Sequence, residues 1–235
     1  MLTNVVFNLL KKGVKKPSLK YQYTASLLDP FQDNSGLALF PLDGNALNVS
    51  GVNHGEDLGV SYVNGVVGLS GNFDGTVNRI KLVQGVFGDP ATDFSTSCWF
   101  KTNNVYQHAT FLNFGGQTNG WAVGIYEGKI RLGLRGGGLT FGETSFVIEP
   151  DTWYHVIATR EVNTDYNKLY VNGKLVSDFT GIFKDGTNQD SIGGSPQSPL
   201  TGTEVSTYYV GLIDQVRIFN RPLNDSEALA LFLER

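Results

Sequence analysis

From residue 36 onward, apolar positions recur every second residue in short runs separated by turn-forming residues. A period of two marks strands with one face in a core. Such runs fall at residues 37–42, 76–83, 95–102, 109–114, 121–126, 129–134, 169–171, 174–176, 191–194 and 208–219. GNFDG at 71–75 reads as a turn, Glu127-Gly128 as a hairpin turn, and Asn172-Gly173 as a type I′ hairpin. Turn-rich stretches at 44–59, 136–144 and 184–206 read as loops. Ten or more half-apolar strands are best buried by two packed antiparallel sheets. In the run 208–219, Leu212, Asp214, Val216 and Ile218 fall on one face, which sets a carboxylate in an apolar row. A buried carboxylate is costly unless paired, hydrogen-bonded or bound to a cation. Beyond Pro222, Asn224 and Glu227 form a capping box ahead of the apolar Ala228, Leu229, Leu231 and Phe232, which predicts a short C-terminal helix.

Residues 1–35 follow a different pattern. Val5, Val6, Leu9 and Leu10 share a helical face, followed by lysines where a helix dipole favours them. Pro17, Pro30 and the turn-forming residues 33–36 then break the chain. This predicts an N-terminal arm over 1–35 that is either a disordered or domain-hugging tail or a segment that orders on a partner subunit. The apolar run is too short for a signal peptide and precedes the lysines instead of following them. No stretch reaches the roughly 18 apolar residues of a membrane span. The expectation is a chain made in the cytoplasm, without membrane insertion.

Charge sharpens the division. The first 20 residues hold five lysines and no acid, leaving 13 basic against 22 acidic residues, a net of −9, in the remainder. An acidic domain argues against nucleic acid as its partner. The single cysteine, Cys98, lies in an apolar strand and reads as a small buried core residue. GGG at 136–138 lacks a following lysine and helix, so it is no phosphate loop.

Four segments carry a family resemblance: GLALFPLDGN at 36–45, FSTSCWF at 94–100, DTWYHVIAT at 151–159 with KLYVNGKLV at 168–176, and YVGLIDQVRIFNRPLNDSE at 209–227. In this order they resemble the laminin G-like jelly rolls of the concanavalin A-like lectin/glucanase superfamily. The resemblance implies an all-β, two-sheet antiparallel jelly-roll sandwich over 36–235, with a short C-terminal helix and an N-terminal extension. It also implies that Trp99 and Trp153 are core residues and that His155 is structural. Many relatives hold one calcium through aspartate and carbonyl oxygens. The matching positions are Asp43 and Asp214, although Asn48-Val49 stands where relatives often carry a further aspartate. The alternative for Asp214 is a hydrogen-bonded structural carboxylate, or pairing with Arg79, since Arg217 reads to the opposite face.

The fold also hosts glycosidases, which need two carboxylates close together. The usual Glu-x-Asp-x-x-Glu strand is absent, and Glu127, Glu143, Glu149 and Glu161 stand apart. No Ser-His-Asp order emerges from His54, His108 and His155. A non-enzymatic role follows. Sugar sites combine an aromatic platform with a few fixed polar groups. Tyr106, His108, Trp121 and Arg135 lie at loop–strand junctions and are the carbohydrate-binding candidates. LDPFQDNSGLALFPLDGN at 28–45 further resembles segments preceding such domains in bacteriophage structural proteins. That resemblance implies a virion decoration or tail-fibre protein. Its arm would dock other virion proteins while its lectin-like domain faces host glycans, in a possible homo-oligomer. The rival expectations are a carbohydrate-active hydrolase or lyase and a ligand-free spacer.

Overall fold

The structure, a computed structural model, describes residues 25–83, 86, 92–116, 119–184, 190–196, 198, 200 and 206–234. The helix expected near residues 5–10, its lysines and much of the 184–206 stretch lie outside the described residues. Two antiparallel sheets pack face to face. Sheet A contains β1 (Gly36–Phe40), β3 (Ser61–Asn64), β4 (Leu69–Asp74), β6 (Phe94–Lys101), β11 (Tyr154–Glu161), β12 (Tyr166–Val171), β13 (Lys174–Thr180) and β15 (Val210–Phe219). Its order is β13-β12-β11-β6-β15-β4-β3, with β1 paired to the second half of β15. Sheet B contains β2 (Glu56–Asp57), β5 (Ile80–Lys81), β7 (Ala109–Gly115), β8 (Gly120–Tyr126), β9 (Lys129–Arg135), β10 (Leu139–Glu143) and β14 (Ser191–Ile192). Its order is β10-β9-β8-β7-β14-β5-β2. This is a jelly-roll sandwich, as the sequence pattern and the resemblance implied.

The alternation explains the core. Cys98 and Phe100 of β6, Val156 and Ala158 of β11, and Ile213, Val216 and Ile218 of β15 face Trp121, Val123 and Ile125 of β8 and Ile130, Leu132 and Leu134 of β9. A second cluster lies on the outer face of sheet A. There α1 (Ala25–Leu28) leads into Phe31, and α2 (Asp225–Phe232) covers Ile157, Tyr170 and Phe219. The expected capping box is present: Asn224 Oδ1 accepts from the Glu227 N–H, and the Glu227 carboxylate accepts from the Asn224 N–H. Arg221 lies over the Phe31 ring and pairs with both Asp33 and Glu227, tying residues 29–35 to the start of α2. Asn172 and Gly173 both take left-handed backbone angles, as a type I′ turn requires.

Several expectations change. The turn expected at 71–75 is mostly strand: Phe73 fills the core and Gly71 pairs with Ile213 and Tyr62, leaving only the end of the segment as a turn. The strand expected over 76–83 shrinks to Ile80–Lys81. Part of the loop expected at 136–144 is β10, an edge strand held by β9. Its half-exposed faces erase the apolar alternation that reveals a strand.

The largest correction concerns β15. Gln215 has φ 50°, and the pairing to β6 jumps from Asp214↔Trp99 to Arg217↔Ser97. This is a β-bulge, two residues opposing one, and it resets the alternation. Val216 and Ile218 face the core, whereas Asp214 faces outward with Leu212 and Arg217. Asp214 therefore does not share the face of Val216 and Ile218, and Arg217 lies on its side of the sheet.

Candidate functional site

On the outer face of sheet B, side chains from four neighbouring chain segments stack in a row. His108, just before β7, lies on the Tyr126 ring with centroids 4.3 Å apart and planes 14° apart. The Arg131 guanidinium lies 3.7 Å from the centre of the other face of Tyr126 and 4.0 Å from the centre of Phe141. The register explains the row. Arg131 sits opposite Gly124 on β8 and Glu143 on β10, so it leans diagonally onto Tyr126 and Phe141. Glu143 Oε2 accepts from Arg131 Nε at 3.0 Å and Nη2 at 2.7 Å, while Oε1 accepts from Lys129 Nζ at 2.7 Å. Partial burial works to raise the Glu143 pKa, but these hydrogen bonds and charges outweigh it and hold the carboxyl below its usual range.

The row is a rigid ladder with free ends. Arg131 is only 8% exposed, and both faces of Tyr126 are occupied. His108 is exposed and Phe141 is 43% exposed. A cation between two rings is worth about 0.5–2 kcal/mol per ring, so the ladder holds its shape before any ligand arrives. Tyr106 is 69% exposed and packs beside Gly128 with Val147 at the adjoining hairpin turn. Nearer β7 the same face is roofed. Thr110, Asn113 and Ala122 are fully buried, and the Thr110 hydroxyl bonds to those of Ser198 and Thr207.

The expected site residues separate. Tyr106 and His108 lie at the ladder end of sheet B. Arg135 lies at the far end of β9, four residues from Arg131, and is half-buried. Trp121 is a correction. It is 0% exposed, faces the core with Val123 and Ile125, and packs edge-on against Phe94 and Phe114, so it offers no face to a ligand. Sequence reasoning missed Tyr126, Arg131 and Phe141. The alternation of KIRLGLR at 129–135 already placed Arg131 opposite in parity to the core residues; its stacking partners depend on β10, which read as loop. Trp153 also departs from expectation, being half-buried instead of core.

Asp43 and Asp214 meet one structural feature, the turn joining β3 to β4. Asp214 is fully buried, and its Oδ2 accepts from the N–H groups of Val66 at 2.8 Å and Val67 at 3.0 Å. Asp43 Oδ1 accepts from the Leu69 N–H at 3.0 Å. The fit leaves no slack: a Cβ on Gly65 would stand 2.5 Å from Asp214 Oδ2. Burial raises the Asp214 pKa to about 7 against the pull of these N–H groups and of Gln215. Its other oxygen, Oδ1, is buried with no hydrogen-bond partner. Among the described residues no three His, Cys, Asp or Glu side chains gather as a metal site. A cation here would rely on Asp214 Oδ1, Asp43 and backbone oxygens. Buried His155 is structural in setting, packed against Trp99 and Phe232, with burial lowering its pKa to about 3, helped by Arg217.

The fold and this surface define a class, the two-sheet lectin-like jelly roll. The family model of laminin G-like domains, described as the concanavalin A-like lectin/glucanases superfamily, matches residues 74–228, and the chain belongs to that family. Among solved structures, it is similar to domain 4 of AbnA, a GH43 extracellular arabinanase from Geobacillus stearothermophilus, in complex with arabinotriose. The TM-score is 0.67 at 20% identity, covering 83% of this chain and 97% of that one. The binding domain of Paraclostridial Mosquitocidal Protein 1 matches with TM-score 0.62 at 17% identity, over 83% of this chain and 51% of that one. The receptor binding domain of botulinum neurotoxin C/D mosaic serotype matches with TM-score 0.63 at 16% identity, over 83% and 50%. The chain thus spans about half the length of these toxin binding domains. Similarity at this level establishes the fold. A search of the curated proteins finds no match.

Proposed function

We propose that this chain is a non-catalytic carbohydrate-recognition domain that binds glycans at the ladder of His108, Tyr126, Arg131 and Phe141. The carrying observation is a preorganised aromatic stack on a sheet face with both end rings open to solvent. A sugar ring stacks on such a ring face while fixed polar groups read its hydroxyls. Lys129, Arg131 and Glu143 supply those groups, and Tyr106 extends the platform. Glu143 is locked in ion pairs below the usual carboxylate range, the wrong state for a general acid. Arabinotriose, seen on the domain of AbnA, is the first ligand to titrate. Phe141→Ala should weaken binding at least tenfold while leaving the melting temperature nearly unchanged. Undiminished binding, or release of reducing ends from a polysaccharide panel, would sink the reading.

The proposal includes one structural calcium at Asp214 and Asp43. It would neutralise the buried carboxylate and tie the β3–β4 turn to β15. Calcium should raise the melting temperature at pH 7 and EDTA should reverse it; an identical melt in both would remove the ion from the account. The proposed setting is the surface of a virion, reached from the host cytoplasm, where many copies add weak sites into avidity. Residues 1–35 would provide attachment to other virion proteins. Particle incorporation unchanged by deleting them would reject that role.

A further inference from the structure

A second strip of ligand-ready side chains crosses the opposite sheet. The register of sheet A sets Lys101 opposite Leu212, Leu212 opposite Asn72, and Asn72 opposite Ser61. Directly opposed residues share a face, so these four form a straight row across β6, β15, β4 and β3. The neighbours Phe100, Ile213 and Phe73 face the core, so the row faces outward. Three inter-strand steps make it about 14 Å long. Trp153 extends it at the β11 end, with Lys101 Nζ 5.3 Å from the centre of its ring. Ser61 is exposed and the other four members are half-buried. On one side the strip is bounded by Trp99, which stacks under Phe232 of α2, and by Asp214, which holds the β3–β4 turn.

Two features bear on what the strip can hold. Trp99 and Trp121 are buried, so Trp153 is the tryptophan that solvent reaches. Among the described residues no carboxylate forms an ion pair with Lys101, so its ammonium, resting near the Trp153 ring, is available to an anion. The strip is also polar along its length. At the far end Asn72 Nδ2 donates to Ser61 Oγ, and Asp74 stands two positions further along β4 on the same face. An anion is therefore favoured at Trp153 and Lys101 and disfavoured beyond Asn72.

We propose that this strip binds a carboxylate-bearing oligosaccharide, a uronic-acid chain. One sugar ring stacks on Trp153, its carboxylate meets the Lys101 ammonium, and the next ring lies over Leu212 with the chain stopping short of Asp74. This site is independent of the sheet B ladder and takes an acidic glycan where the ladder takes a neutral one.

The test is a titration of the full chain with oligogalacturonate, read by tryptophan fluorescence and calorimetry, with arabinotriose and polyglutamate in parallel. Oligogalacturonate should shift the emission of half-buried Trp153 and bind more weakly as salt rises. Lys101→Gln should weaken that binding at least tenfold, Trp153→Ala should do the same, and Phe141→Ala should leave it unchanged. Lys101→Gln keeps the test decisive if Trp153→Ala folds poorly. Absence of oligogalacturonate binding, binding indifferent to Lys101→Gln, or equal binding of polyglutamate would each overturn the inference. Arabinotriose binding and its loss in Phe141→Ala report separately on the ladder.

Discussion

Asp214 keeps its proton to about pH 7 in the folded chain, against 3.8 for an ordinary aspartate. The sign of the consequence is fixed by linkage. Between about pH 4 and pH 7 this carboxyl holds a proton in the folded chain that the unfolded chain has released, so its contribution to stability falls as pH rises and levels off above 7, while buried His155 adds an opposite contribution that rises up to about pH 6.5. At about 1.4 kcal/mol per pKa unit, the effect amounts to several kcal/mol. Asp214→Asn can still accept from Val66 and Val67 with no charge to bury. Urea midpoints from pH 4 to 8 in EDTA should climb more steeply with pH in Asp214→Asn than in the native chain, where Asp214 and His155 oppose each other. Parallel pH curves for the two chains would contradict the burial assigned to this carboxyl. The sequence set this acid in an apolar row with Val216 and Ile218, but the bulge at Gln215 puts it on the other face, so its burial was expected among the wrong neighbours. Its partners were not legible, because Val66 and Val67 lie 148 and 147 residues away in the chain. The tryptophans show a different failure. Residue parity already placed Trp121 with Val123 and Ile125, and Trp153 opposite to Tyr154; the loop–strand junction that made Trp121 a candidate and the family resemblance that put Trp153 in the core both pointed the other way.

At the scale of elements, the β3–β4 turn and α2 carry the sharpest expectations. Gly65→Ala would press a Cβ against Asp214 Oδ2 and, at 2.9 Å, against the Leu69 backbone. Neither is the free end of a flexible chain, so this variant should lose several kcal/mol in chemical denaturation; a near-native midpoint would mean that the turn is not clamped. Asn224→Ala removes one half of the capping box and should cost about 1 kcal/mol, seen as faster amide exchange in the first turn of α2. The long, strictly alternating strands were read correctly from the chain because one face of each is buried. β10 was missed because an edge strand obeys no such rule, and the bulge at Gln215 was missed because nothing local marks a register jump between strands distant in sequence.

For the whole molecule, the two-sheet sandwich was expected from the pattern and the family resemblance, but its strand order and the way residues 25–35 join it were not. Phe31 packs on Phe219 with ring centres 5.7 Å apart, and the Asn220 N–H donates to the Ser35 carbonyl at 2.9 Å. A chain beginning at residue 25 should therefore melt several degrees above one beginning at residue 36, by calorimetry. Equal melting would make the 29–35 strap decorative.

The central claim is that the ladder on sheet B recognises glycan. The most direct measurement is a glycan array probed with the native chain, Phe141→Ala and Lys101→Gln. The account expects at least one neutral glycan bound by the native chain, lost in Phe141→Ala and retained in Lys101→Gln. A flat array, or neutral-glycan binding that Phe141→Ala leaves intact, would contradict it.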